Sequence, residues 1–205
     1  VQEYSRRYSV KKFVGIGSVC EYPRTTPIPF REENLWEGLP EETNLSYGLT
    51  KRMVLEQSRA NKHQYGFNSI HLLLGNLYGP RDNFDLENSH VIPAIINKMV
   101  DAKKNNLSEI TMWGTGIASR EFLYIGDAAE AIVLAMEKHN DHNAINIGSG
   151  MEITIRDLTY KIANLVNYEG EVKWDSTKPD GHPRRALDLS KSEEFGFKAK
   201  TNFDQ

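Results

Sequence analysis

The chain has a single cysteine, Cys20, in 205 residues. That excludes an internal disulfide framework and any cysteine-rich zinc site, no metal centre is expected, and the usage fits a reducing, cytoplasmic setting. No apolar run is long enough to span a bilayer, and no segment has the charged-then-apolar pattern of a signal peptide. An excess of one charge is lacking too. The net charge of -3 leaves no electrostatic footprint for nucleic acid. Internal repeats and low-complexity tracts are absent. Among the 15 glycines there is no G-x-G-x-x-G or G-x-x-G-x-x-G at a strand-to-helix junction, the turn whose backbone amides hold a dinucleotide pyrophosphate.

What is present alternates strand and helix. At 39% apolar the chain can build a substantial core. Lys12-Phe-Val-Gly-Ile-Gly17 is a short apolar run that reads as a buried strand delivering the Ser18 hydroxyl at its carboxyl end, where open α/β sheets bind ligands. A loop rich in Pro, Glu and Thr follows over residues 22 to 44, then a helix over 46 to 64 that Thr43 or Asn44 can cap. Strands are expected at 69 to 74, 109 to 113 and 144 to 147. Helices are expected from residue 88 or 89 to about 103 with Pro93 in the first turn, and from 125 to 137. Thr154 with Asp157, and Ser190 with Glu193, have capping-box spacing. The alternation implies right-handed crossovers and a parallel sheet. The expected fold is α/β: the distal half of a Rossmann-type parallel sheet over residues 1–80, plus a smaller substrate-binding lobe over 81–205 from which segment 125–147 returns to the sheet.

Tyr47 and Lys51 lie four residues apart in the expected helix, so both project from one face. An ammonium one turn from a phenol favours the phenolate, which makes the pair a proton-transfer device in principle. An ordinary surface pair has the same spacing. Cys20, two residues past Ser18, and His90 carry groups whose ordinary pKa values, roughly 8.5 and 6.5, suit acid–base work on either face of a ketone's neighbouring carbons. A small buried hydrophobe and a solvated residue at a helix start are the plainer readings of those two.

Ser18, Tyr47 and Lys51 together resemble the catalytic set of the short-chain dehydrogenase/reductase superfamily, in its extended branch that works on nucleotide sugars. Longer runs narrow the resemblance to the GDP-L-fucose synthase family: Gly17-Ser-Val-Cys-Glu-Tyr-Pro23, Asn76-Leu-Tyr-Gly-Pro80, Asp82-Asn-Phe84, Asn88-Ser-His-Val-Ile-Pro93, Trp113-Gly-Thr-Gly116, Arg120-Glu-Phe-Leu123 and Lys178-Pro-Asp-Gly181. It runs from about Lys11 to Phe203. Val19 stands where this family usually has a second Ser, and Gly48-Leu-Thr50 where Ala-Ile-Ala is common.

The resemblance implies NADPH-dependent 3,5-epimerisation and 4-reduction of GDP-4-keto-6-deoxy-mannose by a cytoplasmic homodimer. In that reading Ser18, Cys20, Tyr47, Lys51 and His90 are catalytic, with Lys51 depressing the Tyr47 pKa. NADP(H) would meet Gly17, Ser18, Tyr47, Lys51, Leu74, Gly75, Asn76, Leu77 and His90. Lys98, Trp113, Arg120 and Asp180 correspond to positions that contact the GDP-sugar. Lys98 on a solvated helix face, Trp113 in a core and Asp180 as a turn residue are the alternatives their residue types leave open. Against the resemblance the chain is expected to lack the first strands and the pyrophosphate turn at its amino end. Two other functions stay open: a different extended nucleotide-sugar epimerase or dehydratase, which would not need Cys20 and His90 as a pair, and a non-catalytic piece.

Overall fold

The computed structural model describes residues 1–85 and 88–203. In chain order its main elements are α1 (Gln2–Arg7), β1 (Phe13–Ser18), α2 (Leu45–Tyr65), β2 (Ser69–Leu74), β3 (Asn76–Tyr78), α3 (Val91–Lys104), β4 (Glu109–Trp113), β5 (Ser119–Tyr124), α4 (Ile125–Lys138), β6 (Ala144–Ile147), β7 (Glu152–Thr154), α5 (Ile155–Val166), β8 (Glu171–Asp175), β9 (Arg184–Arg185) and α6 (Ser190–Glu194). They fall into two compact units. The first comprises Val1–Leu77, Glu121–Gly150 and Ala186–Gln205; the second comprises Tyr78–Arg120 and Met151–Arg185.

The first unit is built on a parallel sheet in the order β1-β2-β6. All six residues of β2 are buried, as a central parallel strand covered on both faces must be. Its period-two alternation splits two cores. Ile70, Leu72 and Leu74 join Leu123, Ile145, Ile147 and the small stripe Ala128, Ala131 and Ala135 of α4. Leu73, on the opposite face, packs with Val19, Tyr22, Phe30, Leu35, Leu55 and Leu187. The stripe at i, i+3 and i+7 lets α4 lie close to the sheet.

Segment 186 to 203 follows this unit and not the lobe in which periodicity alone would leave it. Phe195 and Phe197 enter the Ile70–Leu74 core, and Leu187 pairs with Phe30. The long loop over 22 to 44 is likewise fastened by side chains. Tyr22 Oη donates to Asn146 Oδ1 at 2.7 Å, and Asn146 Nδ2 donates to the Phe30 carbonyl at 2.8 Å. Glu32 Oε1 accepts the Asn146 amide at 2.9 Å.

The second unit pairs β4 with β8 in parallel from Glu109↔Glu171 to Trp113↔Asp175 and packs α3 beside α5. Arg184 and Arg185 of β9 run beside Ser119 and Arg120. Among local signals, Thr154 caps α5 by accepting the Asp157 amide, as its spacing predicts. The expected box at Ser190 does not form: Leu189 is the cap, and the Ser190 hydroxyl turns to Asp188 instead. Helix α3 starts at Val91, capped by His90, so Pro93 is its third residue. Among the described residues no helix is long and apolar enough to cross a membrane.

Candidate active site

Four of the residues singled out above meet at the carboxyl end of β1. Ser18 ends the strand, and its hydroxyl accepts the Cys20 amide at 3.2 Å, closing the short 3-10 turn Val19–Glu21. Tyr47, near the start of α2, hydrogen-bonds through its phenol to the Ser18 side chain. Lys51, one helical turn on, places Nζ 5.6 Å from the Tyr47 ring centroid and donates to the Ile16 carbonyl at 2.8 Å. Helix α2 can lie this close because Gly48 follows Tyr47: a Cβ there would come within 2.6 Å of the Cys20 carbonyl oxygen and 2.8 Å of the Pro40 ring. Arg52 completes the clamp, Nε donating to the Glu21 carbonyl at 2.7 Å and Nη1 to the Gly38 carbonyl at 2.8 Å.

The electrostatics differ from the expectation for an isolated Tyr-x-x-x-Lys. Desolvation holds the Tyr47 phenol above its ordinary pKa; the Ser18 hydrogen bond works the other way, and charge on Cys20 and Glu21 adds to the rise. The Lys51 ammonium is spent on a backbone carbonyl at the strand end, and its charge does not offset the loss of water around the phenol. Tyr47 is therefore a protonated donor at neutral pH, still 49% exposed. Cys20 is a half-buried free thiol beside the Val19–Tyr22–Phe30 core.

The turn rests on two residues that motif reading passes over. Glu21 Oε1 accepts the Ser18 amide at 2.8 Å, and His71 of β2 brings Nε2 to 3.1 Å from the same oxygen. Both side chains are 0% exposed. The signals were there to find: Ser18-x-x-Glu21 has capping-box spacing, and His71 interrupts an apolar strand. Nearby in this unit, Gly75 donates its amide to the Ile147 carbonyl at 2.9 Å and Asn76 Nδ2 donates to the Glu121 carbonyl at 2.9 Å, which sets the Leu74–Leu77 backbone after β2.

In the second unit, His90 is exposed at the start of α3. Its side chain makes no cap bond there. Lys98 is half-buried, its ammonium donating to the Thr111 carbonyl and its pKa lowered by desolvation. Trp113 is 69% exposed, which removes the core reading, and Lys178 Nζ stands 5.7 Å from its ring. Asp180 accepts the Thr115 amide at 2.6 Å and the Thr115 hydroxyl at 2.8 Å, so its carboxyl is engaged in holding the turn after Trp113. Those bonds keep Asp180 below the usual carboxylate range. Arg120 Nη1 donates to the Ser119 carbonyl at 2.7 Å. No cluster of three or more metal-ligating side chains occurs among the described residues.

Comparison with known proteins agrees with this geometry. The chain is 42% identical over 192 residues to a protein of Oryza sativa subsp. japonica named probable GDP-L-fucose synthase 1, covering 94% of this chain and 58% of that one. It is 40% identical over 204 residues to a GDP-L-fucose synthase of Sinorhizobium fredii (strain NBRC 101917 / NGR234), covering 100% and 65%. The crystal structure of a GDP-L-fucose synthetase from Naegleria fowleri bound to NADP superposes with a TM-score of 0.90 at 28% identity, over 100% of this chain and 66% of that one. The chain thus spans about three-fifths of the length of the rice protein and just under two-thirds of the other two. Residues 1–148 match the pattern of the NAD dependent epimerase/dehydratase family, with the Ser18, Tyr47 and Lys51 constellation inside the matched span, and the chain belongs to that family.

Proposed function

We propose that this protein epimerises GDP-4-keto-6-deoxy-mannose at C3 and C5 and reduces it at C4 with NADPH, giving GDP-L-fucose. The observation that carries the reading is a single turn in which the Ser18 hydroxyl meets both the Tyr47 phenol and the Cys20 amide. One small region thus holds two donors for a ketone oxygen and a thiol.

The chain's own residues then take these parts. Ser18 and Tyr47 hydrogen-bond the C4 oxygen, which acidifies C3 and C5 and stabilises the enolate that forms when either loses its proton. Cys20 takes those protons, and His90 returns protons to the opposite face. At the reduction step Tyr47 gives its proton to the C4 oxygen, a role its raised pKa supports. Lys51 holds the nicotinamide ribose, and the Gly17–Ser18 and Leu74–Leu77 backbones flank the ring. This donor set suits the cofactor: an ammonium fixed on a strand-end carbonyl beside a half-exposed phenol fits vicinal ribose hydroxyls. The nicotinamide, when bound, supplies the hydride.

Lys98, Trp113 and Arg120 bind the GDP portion, the exposed Trp113 ring as a surface for the base and the two cations for the diphosphate. Asp180 shapes the Trp113 turn from below, with sugar hydroxyls within the capacity of its remaining lone pairs. The working form is a cytoplasmic homodimer, a reading supported by Leu49 and Met53, large apolar side chains exposed on α2. The division of labour places the cofactor with the Rossmann part, residues 1–80 and 125–147, and the sugar nucleotide with the rest of 81–205.

The test is the full-length protein with GDP-4-keto-6-deoxy-mannose and NADPH. Tyr47→Phe is expected to lower turnover by about 10²- to 10⁴-fold with little change in GDP-sugar affinity. Cys20→Ser is expected to abolish solvent deuterium incorporation at C3 and C5 while some direct C4 reduction survives, since an alcohol is a far weaker base. Exchange at the wild-type rate in Cys20→Ser would instead make the protein a different nucleotide-sugar epimerase or dehydratase.

A further inference from the structure

The chemistry above leaves Glu21 and His71 unused, although both lie directly beneath it. We propose that Glu21 and His71 form a positioning pair that fixes the Ser18–Cys20 turn against Tyr47. The inference rests on the reductase reading for its catalytic consequence and on geometry alone for its structural part.

The contacts run in series. His71 Nε2 lies 3.1 Å from Glu21 Oε1 and 3.2 Å from Oε2, and Oε1 also accepts the Ser18 amide at 2.8 Å. His71 Nδ1 is buried with no hydrogen-bond partner. An unfilled acceptor costs less there than a stranded N–H, so the ring proton belongs on Nε2, donated to the carboxyl group. Oε1 thereby receives two donors and is held from both sides.

The space is made for this pair. A Cβ on Gly17 would come within 2.4 Å of Glu21 Oε1 and 2.5 Å of His71 Nε2, so the strand carries a glycine where they pass. A fully buried polar pair is seldom the most stable filling, since apolar residues of similar volume are commonly as stable or more so. What it supplies is direction. With its amide held from below, Ser18 keeps an extended backbone (φ -152°, ψ 150°) and turns its hydroxyl to the Cys20 amide and the Tyr47 phenol.

A second consequence follows from charge. The groups around the phenol are Ser18, Cys20 and Glu21 of the turn and Lys51 of α2, while the Arg52 guanidinium binds the Glu21 carbonyl. Among these, negative charge on Glu21 helps keep Tyr47 protonated. A donor that must be protonated loses activity as pH rises through its pKa. Removing the Glu21 charge therefore moves the alkaline limb of the reduction profile to lower pH.

The experiment uses the full-length protein with Glu21→Gln, Glu21→Leu, His71→Gln and His71→Leu, each first checked for cooperative melting. Cys20 alkylation by iodoacetamide, mapped by mass spectrometry, reads the turn with no substrate present; steady-state kinetics across pH reads the chemistry. The Leu variants are expected to change the Cys20 alkylation rate and lower kcat about tenfold or more with KM within about twofold, because a buried Ser18 amide or carboxyl oxygen is left without its partner. His71→Gln, which keeps a donor, is expected to recover most of that loss. Glu21→Gln keeps the acceptor for Ser18 and is expected to hold kcat near wild type at the optimum while its alkaline limb moves to lower pH. Folded Leu variants with wild-type alkylation overturn the positioning role. Should the Leu variants not fold, an unmoved alkaline limb in Glu21→Gln overturns it. A wild-type protein without turnover would sink the reductase reading, and alkylation would still decide the pair.

Discussion

In the first unit the Glu121 carboxyl, 4% exposed, gathers three backbone amides: Ser149 at 2.7 Å, Gly150 at 3.0 Å and Leu187 at 3.0 Å. In the second, the exposed Asp180 carboxyl gathers one amide and one hydroxyl, both from Thr115. The device is the same, a carboxyl group collecting the donors of a turn. Its surroundings differ. Glu21 on Ser18, Glu32 on Asn146 and Asp127 on Thr201 repeat the buried version, whereas Asp175 on Thr177 and Glu152 on Arg184 repeat the exposed one. Out of water, a lost acceptor leaves donors that no solvent can reach; in water the solvent takes its place. Buried carboxyls therefore define the backbone around the proposed chemistry, and exposed ones tune turns that remain responsive to solvent.

That contrast can be broken by mutation, and the largest effect is expected at Glu121. Glu121→Ala strands three buried amides and is expected to cost about 3–5 kcal/mol in denaturant unfolding. A loss under about 1 kcal/mol would mean water replaces the carboxyl and the buried class does not exist. Next comes Gly17→Ala, whose methyl drives into Glu21 and His71; overpacking of this kind costs about 1–3 kcal/mol and should separate their contact. It is checked by the same unfolding assay.

Smaller still is Asp180→Asn. Global stability should hardly move, while amide exchange at Thr115 should quicken because one charged acceptor becomes neutral. Protection unchanged at Thr115 would detach Asp180 from the turn. The mildest perturbation is acid. Glu152, Asp175 and Asp180 are all held below their ordinary pKa by hydrogen bonds and, for Glu152, by Arg184. Groups with depressed folded values contribute stability above the unfolded value, about 4, and lose it as pH falls toward the folded one. Amide exchange in segments 114–120 and 175–185 should rise progressively below that point, and a flat profile would remove these groups from the acid response.

The parts legible in the sequence share a property: they depend on neighbours close in the chain. Strands β2, β4 and β6 begin and end where alternating or continuous apolar runs do, and α2 and α4 follow their 3.6-residue period within a residue or so. The Thr154–Asp157 cap was equally readable. Ser190 was not, because Asp188 two residues back competes for its hydroxyl and wins. The loop over 22 to 44 reads as unstructured by composition, yet Arg52, Asn146 and Glu32 fasten it from distant positions.

The candidate site divides along the same line. By itself, the sequence determined which groups can do chemistry: the Ser18 hydroxyl, the Cys20 thiol, the Tyr47 phenol and the Lys51 ammonium, in an order and spacing that also point to a family. Only the tertiary structure decided their state. It raised the Tyr47 pKa where helical spacing alone suggested lowering, since desolvation depends on what the fold brings within a few ångströms and not on the residue four places along. It also set His71, fifty positions from Glu21, under the Ser18 turn, because a parallel sheet brings Gly17 of one strand beside the strand that carries His71.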